Sequence, residues 1–548
     1  MKDLKTVLYD SLGVSENFRV PSALMDVLLS DKKNELLEAV ASVYDFAHDS
    51  LRDYFQEVQS NRKDYMQDYT PDGICELLSG LIDEEDAVLD VCSGTGALST
   101  SLIINNHIKR VRCEELSEAS ISFLLLNMCL RNMDCEIVRK DVLTREVFTA
   151  YKLTHGERFS DIAVVDDIQD DEHWNTIISN PPYSLKWDPQ NDDERFDGYV
   201  LPPKSKADYT FVLDALNRLS NTGRAYFILP HGVLFRGNAE GKIRKQLIEN
   251  NLLEAVIGLP GNMFLNTSIP TAILCFNKNK ADTDVLFIDA SKTFEKVGKQ
   301  NIFTREHIDK ILDAYRGRKS VDKFANLVSL DEIRYNEHNL NIPRYVDTLD
   351  YEEEVSFSDL LGEFKSVYKD GQDLQDAFVS MCRELQSNMD DDDEFGELVD
   401  LLEHIDDEID SSIEALQCFD DVINPVAYVY YPLTSVATIA RATDGKVYEA
   451  GTILVQISAT RGQILYLDKP TAVGSQYAVV APLDGVDPFI LYQAMLATGA
   501  DFCRRYQCGL NLPINDLKFW EIPFPVLACP PVVGLSPEFV QSQAGGDA

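Results

Sequence analysis

The order of hydrophobic and polar residues changes character several times along the chain. Residues 1–60 contain two clusters, 24–29 and 36–46, in which apolar residues recur at steps of three and four. This spacing places apolar side chains on one face of a helix, so it predicts amphipathic helices. From about residue 85 to 280, short apolar runs alternate with helical segments, which predicts an α/β fold with a mostly parallel sheet covered by helices. The candidate strands are Ala87–Leu89, Ile108–Val111, Ile137–Val138, Thr176–Ile178, Ala225–Leu229, Leu253–Ile257 and Ala272–Phe276.

The second half of the chain shows three further patterns. Residues 370–417 predict long helices interrupted by the acidic run 390–394, with a coiled-coil-like stripe at Leu398, Leu402, Ile405, Ile409, Ile413 and Leu416. From about residue 425, short strands and turns are followed by a helical stretch near 488–507. The patterns predict an N-terminal helical domain (1–62), an α/β domain (63–346), an acidic helical connector (347–420), a C-terminal α+β domain (421–530) and a flexible tail (531–548).

Composition indicates a folded protein of several domains. A chain of 548 residues with 45% hydrophobic residues is too long for a single core. We find no apolar run long enough to span a membrane and no signal-peptide core, so we expect a cytoplasmic protein. The eleven cysteines form no C-x-x-C pair, which favours reduced thiols over a zinc site. We therefore predict no metal.

The net charge of −41 is unfavourable for binding to nucleic acid phosphates. The charge is uneven, however, because residues 350–419 hold 23 Asp and Glu against 3 Lys and Arg. About half of the negative excess therefore lies in one short stretch. The charge weakens the case for a DNA-binding protein without excluding one.

The segment Asp90 to Gly96 (Asp-Val-Cys-Ser-Gly-Thr-Gly) follows a candidate strand and precedes a helix. Glycines at such a turn allow the backbone to approach a ligand closely, although many such turns bind nothing. Two acids favour the functional interpretation. Glu115 and Asp141 end the next two strands, where carboxylates are suited to contact the ribose and base of a nucleoside. Together they predict a nucleoside cofactor.

A second motif, Asn180-Pro181-Pro182-Tyr183, follows the strand that ends at Ser179. In isolation it is typical of a proline-rich turn. Its chemistry also suits methylation of an adenine amino group, a poor nucleophile. The Asn180 side-chain oxygen and the Pro181 carbonyl can accept the two N–H bonds, and Tyr183 can stack on a base flipped out of a duplex. This makes all four residues, Asn180, Pro181, Pro182 and Tyr183, catalytic candidates.

Residues 1–346 resemble the gamma-type amino methyltransferases, and specifically the modification subunit of type I restriction-modification systems. The resemblance rests on the two motifs above and on the segments 69–71, 208–211, 223–237, 259–271 and 339–345. It implies a Rossmann-like, S-adenosylmethionine-dependent enzyme that methylates adenine N6 in duplex DNA. The implied cofactor contacts are Asp90, Gly94 and Gly96 for the methionine end, Glu115 for the ribose, Asp141 for the adenine, and Tyr69, Thr70, Pro71 and Asn180 nearby.

The segments 431–441, 451–462 and 509–525 resemble a target-recognition domain of the type I specificity subunit. One such domain is present where a specificity subunit normally has two. Two copies that pair through the 370–417 helices would supply two, although these helices could equally pack within one chain. A separate restriction subunit is a further possible partner. Candidate DNA contacts are Arg441, Lys446, Arg461, Lys469, Arg504, Arg505 and Lys518, although each alone is more often an ordinary surface charge.

Three alternatives stay open from the residues. The same amide chemistry serves cytosine N4. An RNA base or a protein glutamine is also a possible substrate. A non-catalytic DNA-binding or DNA-mimicking protein would explain the acidic segment.

Overall fold

The structure is a computed structural model of the 548-residue chain. It describes residues 3–58, 70–83, 87–106, 108–166, 168, 173–190, 193–264, 268–348, 366, 369, 380, 428–460 and 462–525. The chain divides into two compact units, Met1–Thr348 and Leu349–Ala548. The coiled-coil-like stripe, the acidic run 390–394 and the predicted tail lie outside the described residues. None of the described helices combines the length and apolar character that crossing a bilayer requires.

The first unit begins with the predicted helices. They are α1 (Leu4–Leu12), α2 (Val20–Leu28), α3 (Lys33–Ala41) and α4 (Ser50–Val58). The Asp3 side chain caps α1 by accepting a hydrogen bond from the Thr6 amide, and Gly13 ends the helix in the left-handed conformation. Apolar residues at helical spacing, such as Leu24 and Leu28, are buried. The predicted amphipathic helices are therefore confirmed.

The centre of the first unit is an eleven-stranded sheet in the order β13-β10-β8-β9-β7-β6-β1-β2-β3-β4-β5. Its strands are β1 (Ala87–Val91), β2 (Arg110–Glu115), β3 (Asp134–Lys140), β4 (Val147–Thr154), β5 (Asp161–Val165), β6 (Trp174–Ser179), β7 (Leu219–Pro230), β8 (Leu253–Gly258), β9 (Thr271–Asn277), β10 (Val285–Asp289) and β13 (Ala325–Val328). A separate hairpin contains β11 (Glu295–Val297) and β12 (Gln300–Ile302).

The prediction of a mostly parallel sheet is wrong, because five of the ten strand pairings are antiparallel. The connection from β3 to β4 shows the physical reason. Only residues 141–146 separate these strands, and a parallel partner needs a crossover of a dozen residues or more. The chain therefore turns back and β4 pairs with β3 in the opposite direction.

Helices cover the sheet and connect its strands. They are α5 (Asp72–Leu81), α6 (Ala97–Asn106), α7 (Glu118–Leu130), α8 (Asp208–Arg218), α9 (Gly232–Phe235), α10 (Asn238–Glu249), α11 (Arg305–Gly317) and α12 (Leu330–Tyr335). In α7, four consecutive residues, 123–126, are fully buried. A helix that is apolar on every side must be covered on every side. The N-terminal helices α2, α3 and α4 contact α7, which also contacts β2 and β3 of the sheet.

The parallel part of the sheet determines where the site forms. Strands β2, β1, β6 and β7 are adjacent and parallel, and β3 runs parallel beside β2. Their carboxyl ends therefore lie at the same edge. In an open α/β sheet, ligands bind in the crevice outside these carboxyl ends. The glycine turn, Glu115, Asp141 and Asn180 all come at or directly after such strand ends.

The second unit is an α+β structure. Its strands are β14 (Tyr428–Pro432), β15 (Ala437–Arg441), β16 (Lys446–Tyr448), β17 (Ile453–Gln456), β18 (Ile464–Tyr466), β19 (Thr471–Val473), β20 (Tyr477–Pro482) and β21 (Glu521–Pro525). They form a four-stranded sheet, β15-β20-β17-β18, and two-stranded pairs. Within the described range 428–525, the helices α13 (Leu433–Val436) and α14 (Pro488–Tyr506) accompany these strands, and α14 confirms the helix predicted near 488–507. Trp520 is fully buried and stacks on Phe502 in the core.

Candidate active site

A cavity of about 200 Å³ opens at the carboxyl edge of the parallel strands. Residues from the glycine turn, from the ends of β2 and β3, and from the loop after β6 form its walls. They are Thr70, Cys92, Ser93, Gly94, Thr95, Ala97, Leu98, Glu114, Glu115, Leu116, Lys140, Asp141, Val142, Leu143, Asn180, Pro181, Pro182, Tyr183, Leu185 and Phe211. The tertiary fold therefore brings together most of the described residues that the sequence predicts for catalysis and cofactor binding.

The glycine turn between β1 and α6 has an unusual backbone. Cys92, Gly94 and Gly96 all have positive φ, at 62°, 59° and 86°. Glycine adopts this region without strain, whereas a side chain at Gly96 would place its Cβ 2.6 Å from the Leu124 side chain. The turn thereby exposes main-chain atoms to the cavity. Within it, the buried Thr95 hydroxyl has no hydrogen-bond partner among the described residues.

The Glu115 carboxylate is fixed by main-chain hydrogen bonds. Its Oε2 accepts from the Gly94 amide at 2.9 Å and its Oε1 accepts from the Ser117 amide at 2.8 Å. Burial raises the pKa of Glu115, although these hydrogen bonds oppose the shift. Each oxygen keeps accepting capacity for further donors. A carboxylate held in this way at a strand end is suited to bind two hydroxyl groups of a ligand.

Asp141 and Asp90 differ in their relation to the cavity. Asp141 follows β3, lines the cavity and accepts a hydrogen bond from the Leu143 amide at 2.9 Å. Asp90 is fully buried in β1, is not among the described lining residues and accepts from the Ser99 hydroxyl at 2.6 Å. Its second oxygen has no partner in the described part of the chain. Gly96 and Pro71 are likewise outside the cavity wall, and Tyr69 is outside the described residues.

Burial raises the pKa of Asp90 to about 7, although the hydrogen bond from Ser99 opposes this shift. An unpaired carboxylate in an apolar interior is costly, so the protonated form is favoured. A cationic group beside the free oxygen of Asp90 would reverse that preference.

The Asn180 amide lies between two hydroxyl groups. Its Nδ2 donates to the Thr70 hydroxyl oxygen at 2.9 Å, and its Oδ1 accepts from the Tyr183 hydroxyl at 2.8 Å. The strand end that carries it is tied down, because the Ser179 hydroxyl donates to the Val91 carbonyl at 2.6 Å. Pro181 and Pro182 follow and both line the cavity. The amide is thus presented at the cavity by a stiff turn.

The Tyr183 ring contacts Phe264 edge to face, with 6.2 Å between the ring centroids. Directly after it, Ser184 has a φ of 54°, and its amide donates to a carboxylate oxygen of Asp208 at 2.7 Å. Asp208 is fully buried and pairs with Arg236 at 3.0 Å. The sequence motifs predict no role for Asp208. In the structure its carboxylate accepts the hydrogen bond that fixes the turn after the catalytic candidates.

The cavity wall also contains a charged group, Glu114, that the sequence motifs do not predict. The two Glu114 carboxylate oxygens accept hydrogen bonds from the two terminal nitrogens of Arg218, at 2.6 and 2.9 Å. Glu114 Oε1 also lies 3.5 Å from the Lys140 ammonium nitrogen. The adjacent acids at the end of β2 could have indicated this arrangement from the sequence. Because consecutive side chains of a strand point to opposite faces, only one of Glu114 and Glu115 can contact the glycine turn.

Arg195 was missed for a different reason. It is buried and donates to the carbonyls of Val142 and Leu143, both at 2.7 Å, and it pairs with Asp193 and Asp214. It therefore fixes the loop beside Asp141 from a segment more than fifty residues away. Nothing in the local sequence around Arg195 indicates that contact.

In the second unit, the candidate DNA contacts lie on separate elements. Arg441 ends β15, Lys446 begins β16, Lys469 precedes β19, and Lys518 lies over the ring of Phe519. Arg504 and Arg505 are both on α14 and both pair with Asp501, at 2.7 and 2.8 Å. Arg461 is outside the described residues. Over the described ranges, no group of three or more His, Cys, Asp or Glu side chains is placed to hold a metal ion.

Comparison with known proteins identifies the family. A sequence profile described as N-6 DNA Methylase matches residues 41–354. The type I restriction enzyme MpnII methylase subunit of Mycoplasma pneumoniae is 29% identical over 381 residues, which are 66% of this chain and 67% of that protein. The MjaVII methylase subunit of Methanocaldococcus jannaschii is 29% identical over 417 residues, 69% of this chain and 68% of its own.

A crystal structure of a type I restriction-modification methyltransferase subunit from Streptococcus thermophilus is also similar. It is 32% identical with a TM-score of 0.49, and the match covers 63% of this chain and 80% of that one. The family profile ends at residue 354 and does not extend over the C-terminal α+β unit. Since the profile covers more than half of the sequence, the chain belongs to the N-6 DNA methylase family.

Proposed function

We propose that this chain transfers a methyl group from S-adenosylmethionine to N6 of adenine in duplex DNA, at a sequence selected by its C-terminal unit. The observation that carries the proposal is the Asn180 amide at the cavity wall, fixed by Thr70 and Tyr183. The same cavity contains the ordered Glu115 carboxylate. A carboxylate suited to bind nucleoside hydroxyls and an amide acceptor thus line the same cavity, which supports the proposal.

The residues present fit the proposed cofactor. Glu115 would take the ribose hydroxyls and Asp141 the adenine, between the apolar side chains of Leu116, Val142 and Leu143. The partnerless oxygen of Asp90 fits a cationic amino group, and the Thr95 hydroxyl supplies a further polar atom near the turn. When bound, S-adenosylmethionine supplies an electrophilic methyl group on a sulfonium. Tyr69, Thr70, Pro71, Gly94, Gly96 and Asn180 complete the proposed cofactor contacts.

The side chains of the catalytic turn would activate and hold the target amino group. The adenine N6 lone pair is delocalised into the ring, so the nitrogen needs hydrogen-bond acceptors that help to localise it. Asn180 Oδ1 and the Pro181 carbonyl would accept its two N–H bonds, and these preorganised dipoles favour the charge that develops during transfer. Tyr183 would stack on the flipped base, with Pro182 keeping the turn rigid.

We further propose that the C-terminal unit recognises DNA as a target-recognition domain does. Lys446 and Lys469 are exposed, and Arg441, Arg461, Arg504, Arg505 and Lys518 are further candidates for phosphate or base contacts. A homodimer formed through residues 370–417 would present two such units to a bipartite site. A separate restriction subunit would supply cleavage. The proposed location is the cytoplasm, where thiols such as the buried Cys75 and Cys275 stay reduced.

Cytosine N4 is the second candidate substrate, because its amino group requires the same two acceptors. RNA and protein glutamine are alternatives that a DNA-reading C-terminal unit would disfavour.

Modification-aware sequencing of DNA from a methylation-deficient bacterial host that expresses the full chain tests the proposal. We expect N6-methyladenine at one recurring sequence. A host expressing Asn180→Ala should show none, while Asn217→Ala, which removes an exposed asparagine from α8, should keep the mark. N4-methylcytosine at a recurring sequence would correct the target base. An unmodified genome would contradict the proposed activity.

A further inference from the structure

We infer that the Thr70 hydroxyl is a positioning group that sets which edge of the Asn180 amide faces the target base. The inference rests on the proposed function, since it concerns the same transfer step. It goes further because it assigns Thr70 to the orientation of a catalytic side chain. The resemblance to the gamma-type family places Thr70 only near the cofactor.

A side-chain amide has one accepting edge and one donating edge of nearly the same shape. The target amino group presents two N–H donors and therefore needs the Oδ1 edge. A 180° rotation of the Asn180 amide would place its NH2 group against the N–H of the base that Oδ1 should accept, while the Pro181 carbonyl would still face the other N–H. Transfer would then lose one of its acceptors and meet repulsion in its place. The rotational state of this amide therefore matters directly for the rate.

Among the residues that the structure describes, Thr70 is suited to fix that state. Thr70 Oγ1 lies 2.9 Å from Asn180 Nδ2, on the edge opposite Oδ1. Oδ1 itself accepts from the Tyr183 hydroxyl at 2.8 Å. The arriving amino group must take over this position at Oδ1. Once it does, the orientation of the amide depends on the acceptor at Nδ2, and Thr70 provides one.

Thr70 is itself held firmly. It is 5% exposed and immediately precedes Pro71 and the first turn of α5. Its carbonyl oxygen accepts from Arg52 of α4 at 3.4 Å and from the Cys75 thiol at 3.7 Å. Arg52 also pairs with Asp72, at the start of α5. Through Arg52, helix α4 therefore fixes the position of Thr70, which in turn contacts Asn180. A buried hydrogen bond such as that between Thr70 and Asn180 is stronger than an exposed one.

Two substitutions of Thr70 separate the hydroxyl from the shape of the side chain. Thr70→Val removes the hydroxyl at nearly constant volume, and Thr70→Ser keeps it. The assay measures transfer of a tritiated methyl group from S-adenosylmethionine to unmethylated genomic DNA from a methylation-deficient bacterium. Calorimetry measures the Kd for S-adenosylmethionine, and thermal unfolding checks that each full-length variant is folded.

We expect Thr70→Val to lower kcat on the order of 10- to 100-fold, as loss of alignment does. The cofactor Kd should rise by a clearly smaller factor, because valine keeps the shape of the Thr70 side chain and the other proposed cofactor contacts remain. Thr70→Ser should stay within about threefold of the unsubstituted chain in both quantities. A Thr70→Val variant with unchanged kcat would overturn the inference. So would a loss matched by an equal rise in cofactor Kd, or an equal loss in Thr70→Ser.

Repeating the Thr70→Val substitution in a variant at position 180 separates the loss of amide orientation from a general loss of structure. In Asn180→Asp the side chain has two equivalent oxygens, so its rotation no longer matters. We expect Thr70→Val to change the residual rate in that background by less than about threefold, because coupled residues are non-additive. An undiminished loss there would overturn the inference. If the unsubstituted chain transfers no methyl group, the proposed function fails and this inference with it.

Discussion

The two units of this chain organise their chemical residues in different ways. In the first unit, Thr70, Glu115, Asp141 and Asn180 are separated by as many as 110 residues in sequence yet line one cavity. In the second unit, the described candidate DNA contacts are dispersed over strands, a loop, α14 and the 3-10 helix Ile514–Phe519. Bond-making chemistry needs reacting groups fixed at short distances. Electrostatic contacts to a phosphate backbone act over longer distances, and their contributions to the affinity add up. The residues that make them can therefore be dispersed over a surface.

The supports of these residues differ as well. The first unit holds its site with main-chain amides and positive φ angles, as at Gly94 and Ser117 around Glu115. In the second unit, Arg504 and Arg505 form side-chain ion pairs with the half-buried Asp501 of the same helix. Ion pairs between residues three or four apart on a helix contribute little to stability, so they fix a side chain less firmly than main-chain hydrogen bonds do. A catalytic residue is therefore recognisable from its scaffold, whereas a DNA contact must be found by measurement.

The largest effect should follow removal of the Asn180 amide. Asn180→Ala takes away a preorganised acceptor in the transition state, and we expect kcat to fall about 10²- to 10³-fold. The cofactor Kd should change far less, because Glu115 and Asp141 remain. Single-turnover transfer to unmethylated DNA measures the rate. Comparable activity in Asn180→Ala and in the surface control Asn217→Ala would remove the basis for the proposed mechanism.

A second large effect should appear in cofactor binding. Glu115→Ala removes a charged acceptor from the cavity, and two lost charge-assisted hydrogen bonds predict an increase in Kd of about 100-fold. Calorimetric titration with S-adenosylmethionine checks this value. Glu76→Ala, on the exposed face of α5, is the matched control and should leave the Kd unchanged. Equal affinities for the two variants would exclude Glu115 as a cofactor ligand.

Asp90 predicts a trade between stability and binding. In the folded chain its pKa is about 7, whereas an unfolded carboxyl ionises near pH 4. Between these values the folded state binds more protons, so its free energy of unfolding falls as pH rises through this window. Asn cannot ionise, so the free energy of unfolding of Asp90→Asn does not fall in this way. The difference in free energy of unfolding between Asp90→Asn and the parent chain should therefore increase by about 2 kcal/mol from pH 5 to pH 8.

Denaturant titrations of the cofactor-free protein at several pH values test this trend, with the exposed Asp83→Asn as the control. We expect Asp90→Asn to bind S-adenosylmethionine more weakly despite its greater stability. A stability difference that stays constant with pH would show that Asp90 is ionised in the folded chain. It would also remove the argument that a cationic ligand group completes this site.

The smallest effect should come from the second unit. Lys446 and Lys469 are exposed, and neither forms an ion pair with any residue that the structure describes. Replacing both with alanine should reduce the slope of log K against log salt for DNA binding by about 2, since each lost phosphate contact contributes about 1. Filter binding with duplex DNA measures the slope. If Lys245→Ala on α10 reduces it as much, binding is not concentrated in the second unit.

The sequence located the candidate turns and strand-end residues of the site well. Glu115 ends β2, Asp141 directly follows β3 and Asn180 directly follows β6, as the pattern of apolar runs predicts. These assignments succeed because a short apolar run and the polar residue that ends it are local features. Which of those residues bind the cofactor or the base stays a prediction.

Only the tertiary structure decided strand direction and long-range contacts. Apolar runs do not encode direction, so the antiparallel strands that make half of the pairings were not foreseen. The contact of Thr70 with Asn180 and that of Arg195 with the loop at Val142 join residues far apart in sequence. Periodicity fixes which face of an element is buried. Which side chains then contact each other depends on how the elements pack. That packing places the Asp90 carboxylate against the Ser99 hydroxyl, outside the set of described residues that line the cavity.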